Sequence, residues 1–219
     1  MEKNGTLERY RDLLVEKNQT MNLIRFKTKE ELWKRHIMDS LLPFEYYNYN
    51  LSGRIADIGS GGGLPAIPLA LSFPDARFDL IESISKKADF LKEVVEKLGL
   101  TNVCVSNSRV EDFAMKNREL FDFVTARALA PLKICLEYAA PLLKVGAKAL
   151  FYKGPAVFDE YHDASRAIKM LSFVKGDFLN YSYEIDTEIY ISYLSEFIKR
   201  EKTSKKFPRN IGKAKKRPL

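Results

Sequence analysis

The stretch Ile55-Ala-Asp-Ile-Gly-Ser-Gly-Gly-Gly-Leu-Pro65 decides the fold of this chain. Its apolar start predicts a buried strand over 54–58, and its glycines allow positive φ angles and a close approach of a ligand to the backbone. An apolar helical pattern resumes at Leu64, and Pro65 and Pro68 fit the first turn of a helix, where amides lack partners. The sequence therefore predicts a strand, a glycine loop and a helix whose N-terminus faces an anionic group.

A second acid, Glu82, follows Asp57 by 25 residues and ends another apolar strand, 77–82. At such a strand end, a carboxylate can accept hydrogen bonds from both hydroxyls of a ribose. The pattern is therefore typical of a nucleotide-type cofactor site.

Three templates compete for the glycine loop. A dinucleotide site needs G-x-G-x-x-G, but Leu64 stands where the third glycine belongs. A phosphate-binding P-loop needs a lysine after the glycines, and none follows them. The remaining form, Asp57 two residues ahead of Gly59, Gly61 and Gly63, resembles motif I of the class I S-adenosylmethionine-dependent methyltransferases. The alternative to a cofactor site is a glycine-rich turn between a strand and a helix that binds no ligand.

Nine segments match one bacterial family, in order along the chain. They are 33–41 (WKRHIMDSL), 57–65 (DIGSGGGLP), 82–87 (ESISKK), 109–111 (RVE), 121–128 (FDFVTARA), 141–144 (PLLK), 152–154 (YKG), 207–212 (FPRNIG) and 216–219 (KRPL). By these motifs the chain resembles, over nearly its whole length, the 16S ribosomal RNA guanine-N7 methyltransferases, also called glucose-inhibited division protein B. It departs from the family pattern at Ala66, where glycine is frequent, and at Asn210, where a basic residue is usual.

This resemblance implies S-adenosyl-L-methionine as the cofactor and 16S ribosomal RNA as the partner, either free, in the 30S subunit or in an assembly intermediate. The implied reaction is methyl transfer to N7 of a guanine in the decoding-region loop. The resemblance also implies cofactor contacts at Gly59, Leu64, Val110, Glu111 and Arg127.

The implied chemistry needs neither a general base nor a covalent intermediate, because N7 already carries an in-plane lone pair. We therefore assign no catalytic acid or base. The chain has no Asp/Asn-Pro-Pro-aromatic motif of the exocyclic-amine enzymes and no Pro-Cys nucleophile of the cytosine-C5 enzymes. Since N7 lies in the deep, narrow major groove of A-form RNA, the target guanine should be unpaired or flipped out.

The roles of the cofactor residues follow from their chemistry and from their strand ends. Gly59 and Gly61 should admit the methionine part of the cofactor, and Asp57 should fix the loop or reach the cofactor's ammonium group through water. Ligands lie at the carboxyl ends of strands in open α/β sheets. The adenine should therefore be lined by the residues after the third and fourth strands, 108–112 and 125–128. The predicted cofactor-binding set is Asp57, Gly59, Gly61, Leu64, Glu82, Ser83, Val110, Glu111 and Arg127. For Leu64, Val110 and Ala128, ordinary packing is the alternative.

Two cations are candidates for orienting the substrate. Arg127 lies inside the apolar run 123–130, where a charged group needs a partner. A cofactor carboxylate or a substrate phosphate would supply one. Lys153 follows the fifth predicted strand, and a solvated loop lysine is the alternative for it.

Hydrophobic periodicity predicts a helical cap followed by alternating strands and helices. Amphipathic helices are expected over 6–18 and 29–42. Strands are expected near 54–58, 77–82, 102–106, 121–126, 147–152, 172–184 and 187–197, with helices between the first six. A turn at Asp186 should join the last two strands as an antiparallel hairpin at the sheet edge.

The sequence thus predicts an α/β fold of the class I S-adenosylmethionine-dependent methyltransferase type. Its Rossmann-like sheet should be seven-stranded and mostly parallel, with a C-terminal antiparallel hairpin. A single domain, 1–219, is expected, with a cap over 1–50, a core over 51–198 and a basic tail over 199–219.

The net charge of +7 is concentrated in the tail. Ten of the 36 Lys and Arg residues lie in 199–219, against one acid, Glu201. A solvated terminus is the alternative, but Phe207 and Ile211 interrupt the charges and indicate a shaped segment. We expect the tail to contact RNA phosphates. The predicted RNA-binding residues are Lys205, Lys206, Arg209, Lys213, Lys215, Lys216 and Arg217.

Composition narrows the remaining function classes. The chain has no long apolar run and no secretory leader, so a soluble, cytoplasmic protein without a membrane partner is expected. A monomer is expected because no apolar interface is obvious in the sequence. Cys104 and Cys135 lack metal or redox spacing and should both be buried core thiols. His36 and His162 are isolated, and no metal site is indicated. Two alternatives stay open: a class I methyltransferase with another acceptor, such as tRNA, DNA or a small molecule, and a non-catalytic RNA-binding protein of the same fold.

Overall fold

The computed structural model describes residues 2–219, which build a seven-stranded sheet with helices on both faces. The strands are β1 (Arg54–Ile58), β2 (Arg77–Glu82), β3 (Val103–Asn107), β4 (Phe121–Arg127), β5 (Leu143–Lys153), β6 (Phe173–Ile185) and β7 (Glu188–Lys199). The helices are α1 (Glu2–Asn18), α2 (Lys29–Leu32), α3 (Leu42–Tyr46), α4 (Ala66–Ser72), α5 (Ser85–Leu98), α6 (Val110–Lys116), α7 (Leu132–Ala139), α8 (Val157–Asp163), α9 (Ser165–Met170) and α10 (Lys213–Lys216). No helix in this described part is both long and apolar enough to cross a membrane.

The strand order is β3-β2-β1-β4-β5-β7-β6. β1 to β5 pair in parallel, while β7 runs antiparallel to both β5 and β6. The hairpin turns at Asp186, whose φ is 55°, and β6 forms the sheet edge. The predicted α/β fold with its antiparallel C-terminal hairpin is confirmed.

The strand order reverses between β1 and β4, which are neighbours in the sheet. The helices that follow these two strands, α4 and α7, pack in different apolar layers, and ligands of open α/β sheets bind in the crevice that this reversal creates. Each face of the sheet also has its own apolar layer. Leu14, Ile67 and Leu91 belong to one layer, and Phe113 and Leu136 to the other.

The N-terminal cap is tied directly to the glycine loop. Tyr10 on α1 is fully buried, and its hydroxyl donates to the carbonyl of Gly62 at 2.8 Å. Arg9 donates to the carbonyl of Lys97 at the end of α5, also at 2.8 Å. The cap therefore packs over the loop and its flanking helix.

The single helix predicted over 29–42 is wrong. α2 is followed by a π-helical turn, Trp33–Ile37, and a 3-10 turn, Met38–Ser40, before α3 begins. Such turns shift the backbone hydrogen bonds of a helix. The carbonyls of Arg35 and His36 accept hydrogen bonds from the side chain of Arg127 on β4. Hydrophobic periodicity indicates that a segment is helical, but it does not distinguish α-helical from π-helical or 3-10 turns.

The prediction that Cys104 is a buried thiol is also wrong: β3 is the edge strand at the opposite end of the sheet from β6, and its Cys104 is exposed. Cys135 on α7 is buried, as expected, and burial raises the pKa of its thiol to about 11.

The tail after β7 packs against the body rather than extending into solvent. Phe207 and Ala214 are buried in one apolar layer. The ammonium of Lys199, which is fully buried, donates to the carbonyls of Ala140 and Leu143 at 2.7 Å each and to Glu119 at 3.1 Å. The shaped segment that the sequence indicates is therefore part of the folded structure.

Candidate active site

The glycine loop connects β1 to α4 at the carboxyl edge of the sheet. Gly59 and Gly61 have φ angles of 72° and 55°, a region that favours glycine. The amides of Gly59 and Ser60 donate to the carbonyl of Ile81 at 2.9 and 3.2 Å. A Cβ on Gly59 would lie 2.5 Å from Cδ1 of Leu129. The loop therefore lies directly against the segment that follows β4.

Glu82 ends β2 and fixes the loop from the neighbouring strand. One carboxylate oxygen accepts from the amide of Gly61 at 2.9 Å, and the other accepts from the amide of Ile84 at 2.8 Å. Each oxygen keeps a further lone pair. The buried carboxylate can therefore hold the loop and still accept hydrogen bonds from ligand hydroxyls.

Asp57 lies below the loop, at the end of β1. Its Oδ1 accepts from the hydroxyl of Thr125 on β4 at 2.7 Å, and its own carbonyl accepts from the hydroxyl of Ser60 at 3.0 Å. Burial raises the pKa of its carboxyl group to about 7. In this structure Asp57 joins β1, β4 and the loop, and a contact with the cofactor through water stays a prediction.

A cavity of about 840 Å³ opens above the glycine loop. We call it the first cavity. Most of the predicted cofactor residues border it, namely Gly59, Gly61, Leu64, Glu82, Ser83 and Arg127, and so does Ala128. Backbone from the loop and one carboxylate thus line the space in which a nucleotide-type ligand would lie.

Three predicted cofactor residues do not border this cavity: Asp57, Val110 and Glu111. Val110 packs against the apolar layer near α7. Glu111 accepts a hydrogen bond from the amide of Gly212 in the tail at 2.9 Å. From the two ranges predicted to line the adenine, 108–112 and 125–128, the residues that border this cavity are Arg109, Arg127 and Ala128.

Sequence reasoning missed several residues of this cavity. The cap contributes 23–27, Arg35 and His36, and the tail contributes Lys215. The signal for His36 was its place in the family-like segment 33–41, but no spacing links it to the glycine loop. Lys215 was predicted only as an RNA contact.

Arg127 at the end of β4 has its partners within the protein. Its guanidinium donates to the carbonyls of Arg35 and His36 at 2.7 and 2.8 Å and pairs with Asp39 at 2.9 Å. Asp39 is buried and also accepts from the hydroxyl of Tyr181 at 3.0 Å. The partners expected for this charged group are therefore Asp39 and two backbone carbonyls of the π-helical turn.

His36 supports the same guanidinium from a second direction. Its Nδ1 lies 3.2 Å from a guanidinium nitrogen of Arg127, and its Nε2 lies 3.2 Å from the carbonyl of Arg25. Burial and the charge of Arg127 lower the pKa of the imidazole to about 4. The neutral ring protonated on Nε2 satisfies both contacts, so His36 accepts from Arg127.

A second cavity, of about 510 Å³, lies on the other side of the segment after β4. Residues 127–129 border both cavities. We call these three residues the shared wall. Ala128 in its centre has a φ of 52°, which turns the chain sharply between the two spaces. The second cavity is otherwise lined by Asp39, Ala130, Pro131, Tyr152, Lys153, Gly154, Glu160, Tyr181, Tyr183 and Ser192.

Lys153 is not a solvated loop lysine. Its side chain is 11% exposed, and its ammonium donates to Glu160 on α8 at 2.7 Å and to the carbonyl of Ala130 at 2.9 Å. It therefore borders the second cavity in a fixed position.

The tail residues predicted to bind RNA divide into two groups. Arg209 donates through Nε and Nη2 to the two carboxylate oxygens of Glu137, which is 2% exposed, so it is a structural residue in this fold. The other six side chains are exposed: Lys205, Lys206, Lys213, Lys215, Lys216 and Arg217.

Comparison with known proteins identifies the family. The family described as rRNA small subunit methyltransferase G matches residues 3–186. The chain belongs to this family. Ribosomal RNA small subunit methyltransferase G of Petrotoga mobilis is 37% identical over 220 residues, covering 100% of this chain and 96% of that protein. The Thermotoga maritima protein of the same name is 37% identical over 90% of this chain and 81% of its own length.

Solved structures share the fold at lower identity. TYW2 of Pyrococcus horikoshii in complex with MeSAdo has a TM-score of 0.59 at 14% identity, covering 81% of this chain and 66% of that one. TYW2 of M. jannaschii in complex with AdoMet has a TM-score of 0.55 at 14% identity and covers 74% of each chain. As a member of the methyltransferase G family, the chain is a methyltransferase whose methyl donor is S-adenosylmethionine.

Proposed function

We propose that this methyltransferase transfers a methyl group to N7 of a guanine in the decoding-region loop of 16S ribosomal RNA, with the cofactor in the first cavity and the guanine in the second. The observation that carries the proposal is the shared wall, since residues 127–129 border both cavities. Two ligands that react with each other have to meet at one boundary.

The first cavity fits the cofactor. Its volume of about 840 Å³ lies within the range of sites for small molecules. A Cβ added to Gly61 would have the carbonyl of Gly59 as its nearest neighbour, at 3.8 Å. The backbone is thus accessible there, and Glu82 beside it offers acceptors for hydroxyl groups. When bound, S-adenosylmethionine supplies a methyl group on a positively charged sulfur.

The second cavity fits an acceptor that needs orientation rather than deprotonation. Burial and the nearby Asp39 raise the pKa of the hydroxyl of Tyr181, and burial raises that of Tyr152. Both groups are therefore neutral at physiological pH. The N7 lone pair forms the new bond while the bonding electrons return to sulfur, so no proton has to leave N7. The work of the protein is to hold the base in line and to exclude water.

The charged surface fits a nucleic-acid substrate. The six exposed tail cations give the enzyme several groups that can contact phosphate, and Arg25, Lys27 and Arg109 add charge around the first cavity. Such contacts place the enzyme on RNA without reading its sequence. A base that enters the second cavity has to leave its stack, because N7 is inaccessible within A-form RNA.

The test is transfer of labelled methyl from S-adenosylmethionine to small-subunit RNA, or to 30S particles, that lack the modification. We expect label at a single guanine as 7-methylguanine, located by mass spectrometry. Glu82→Gln removes one of the two carboxylate acceptors and should weaken cofactor binding, whereas Lys153→Met should reduce transfer with cofactor affinity retained. Binding of the cofactor without transfer to ribosomal RNA would point to another acceptor. Label at an exocyclic amine or on carbon would refute the N7 assignment.

A further inference from the structure

We propose that Glu160 and Lys153 read the six-membered edge of the acceptor purine and so select guanine over adenine. This inference rests on the proposed function, since it concerns the base that enters the second cavity. The two side chains form a neighbouring donor and acceptor at the edge of that cavity, with the ammonium nitrogen and Oε2 2.7 Å apart.

The pair is anchored to the segment that continues the shared wall. Lys153 donates to the carbonyl of Ala130 at 2.9 Å, and Glu160 accepts from the amide of Leu132 at 2.6 Å. Its position relative to residues 127–129 is therefore fixed by backbone contacts. A base held by this pair therefore has a defined distance from the shared wall.

The hydrogen-bonding capacity of the pair matches guanine. A lysine ammonium has three N–H donors, of which two point to Glu160 and Ala130. The third can donate to O6 of guanine. Both hydrogen bonds that Glu160 accepts end on Oε2, which leaves Oε1 to accept from N1–H.

Adenine presents the opposite pattern to the same two groups. It has an amino donor at position 6 and a lone pair at N1, so it would set donor against donor and acceptor against acceptor. A site built to hydrogen-bond a polar group rejects an analogue that leaves its partners unpaired. On guanine, O6 lies between N7 and N1–H, so one base can present N7 to the shared wall and this edge to the pair.

The test uses RNA in which the methylated guanine is replaced by a purine analogue through ligation of a synthetic oligonucleotide. With the wild-type enzyme, inosine keeps O6 and N1–H and should be methylated within a few-fold of guanine. N1-methylguanine and 2,6-diaminopurine should be methylated slower by about tenfold to a hundredfold, the range of a bidentate base contact. Equal rates for guanine and N1-methylguanine would overturn the proposal.

The matched variants are Glu160→Gln and Asp159→Asn. Asp159 is the preceding residue of α8, is exposed and does not border the second cavity. Glu160→Gln should lower guanine methylation by about tenfold to a hundredfold and raise the relative use of 2,6-diaminopurine, because the amide can donate to N1. Asp159→Asn should leave both rates unchanged. Cofactor affinity, measured for each variant, verifies folding, and a Glu160→Gln enzyme with the wild-type preference would overturn the proposal.

Replacement by 7-deazaguanine separates the two levels of inference. This analogue keeps the O6 and N1–H edge but lacks the N7 acceptor, so it should bind and remain unmethylated. Methylation of 7-deazaguanine would refute N7 as the acceptor, and with it the reading of the edge inferred here. Lack of transfer to 7-deazaguanine, with N1-methylguanine accepted normally, would refute only the role of Glu160 and Lys153.

Discussion

The two cavities are built from different parts of the chain. The first takes its glycine backbone and its carboxylate from one local unit, the glycine loop and the end of β2, with Glu82 only 25 residues from Asp57, and the cap, the shared wall and Lys215 complete it. The second is built from side chains of distant segments. Arg127 pairs with Asp39, which precedes it by 88 positions of sequence, and Tyr181 donates to Asp39 across 142.

This difference has a physical basis and a consequence. A cofactor that is the same for many enzymes can be held by a glycine turn between a strand and a helix, together with an acid at the end of the next strand. An acceptor that differs between enzymes has to be recognised by side chains in a specific tertiary arrangement. Substitutions should therefore separate the two cavities: those in the first should act on cofactor affinity, and those in the second on transfer.

The largest effect is expected for Arg127→Lys. A lysine keeps the charge but cannot reproduce the fork that reaches Asp39 and two carbonyls. Displacement of the shared wall by about 1 Å should reduce transfer roughly a hundredfold, measured as kcat with saturating cofactor. Arg54→Lys is the matched control. Arg54 also makes two hydrogen bonds to one carboxylate, that of Asp79, but it lies at the amino end of β1, away from both cavities. Equal loss of activity in both variants would contradict a special role for Arg127.

A smaller effect is expected for Gly59→Ala. A positive φ costs an L-residue about 1 to 2 kcal/mol, and the added Cβ would displace Leu129 of the shared wall. Cofactor affinity, measured by calorimetry, should fall by about tenfold or more. Gly99→Ala is the control: its φ is 65°, but no atom lies within 4 Å of the added Cβ. This control should lose stability and keep its affinity. Unchanged affinity in Gly59→Ala would break the assignment of the first cavity to the cofactor.

The contrast between the cavities also explains what the sequence could predict. The succession of strands and helices along the chain, the glycine loop and Glu82 follow from local periodicity and spacing, and all lie where those patterns place them. Asp39, His36 and Glu160 were not predicted as site residues. Each reaches the site through a tertiary contact or a change in helix winding that no local pattern records. The need of Arg127 for a partner was predictable from its apolar surroundings, but the identity of that partner was not.

Two wrong or incomplete predictions share this cause. Cys104 has the alternation of a buried strand residue but lies on the outer strand, and strand order is a property of the whole sheet. Arg209 was assigned to RNA with its basic neighbours, yet it pairs with Glu137 on α7. Composition gives the charge of a segment, whereas packing decides which charges remain exposed.

A third prediction uses pH, since two groups near the glycine loop, Asp57 and His36, have shifted pKa values. Asp57 has a pKa of about 7 when folded and about 4 when unfolded. Its contribution to stability is present below about pH 4 and is lost as the pH rises to 7. His36 has a folded pKa of about 4 and an unfolded value of about 6.5. Its contribution is present above about pH 6.5 and is lost as the pH falls to 4.

These opposite slopes, each up to about 1.4 kcal/mol per pH unit, should largely cancel between pH 4 and 6.5. Asp57→Asn should therefore give a protein whose free energy of unfolding rises with pH over this range, relative to wild type. His36→Gln should give one whose free energy of unfolding falls. Urea unfolding at several pH values measures both slopes. Two variants with the wild-type pH dependence would show that neither group titrates as the folded environment indicates.

The smallest effects are expected for single lysines of the tail, which test whether tail charge serves the RNA or the cofactor. Deletion of 199–219 cannot test this, because Lys199, Phe207 and Ala214 are buried and their removal would destabilise the fold. Lys205→Ala and Lys215→Ala are the better pair: both residues are exposed, but Lys215 borders the first cavity and Lys205 borders neither.

S-adenosylmethionine carries one carboxylate against an ammonium and a sulfonium, so Lys215 should not attract it. Both lysine variants should therefore reduce the slope of log affinity for RNA against log salt, by about 0.7 to 0.9 for each phosphate that the lysine neutralises. Cofactor affinity should stay unchanged in Lys205→Ala and should not weaken in Lys215→Ala. A weaker cofactor affinity in Lys215→Ala alone would place a tail side chain among the residues that bind the cofactor and contradict the expectation that the charge of the tail serves the RNA.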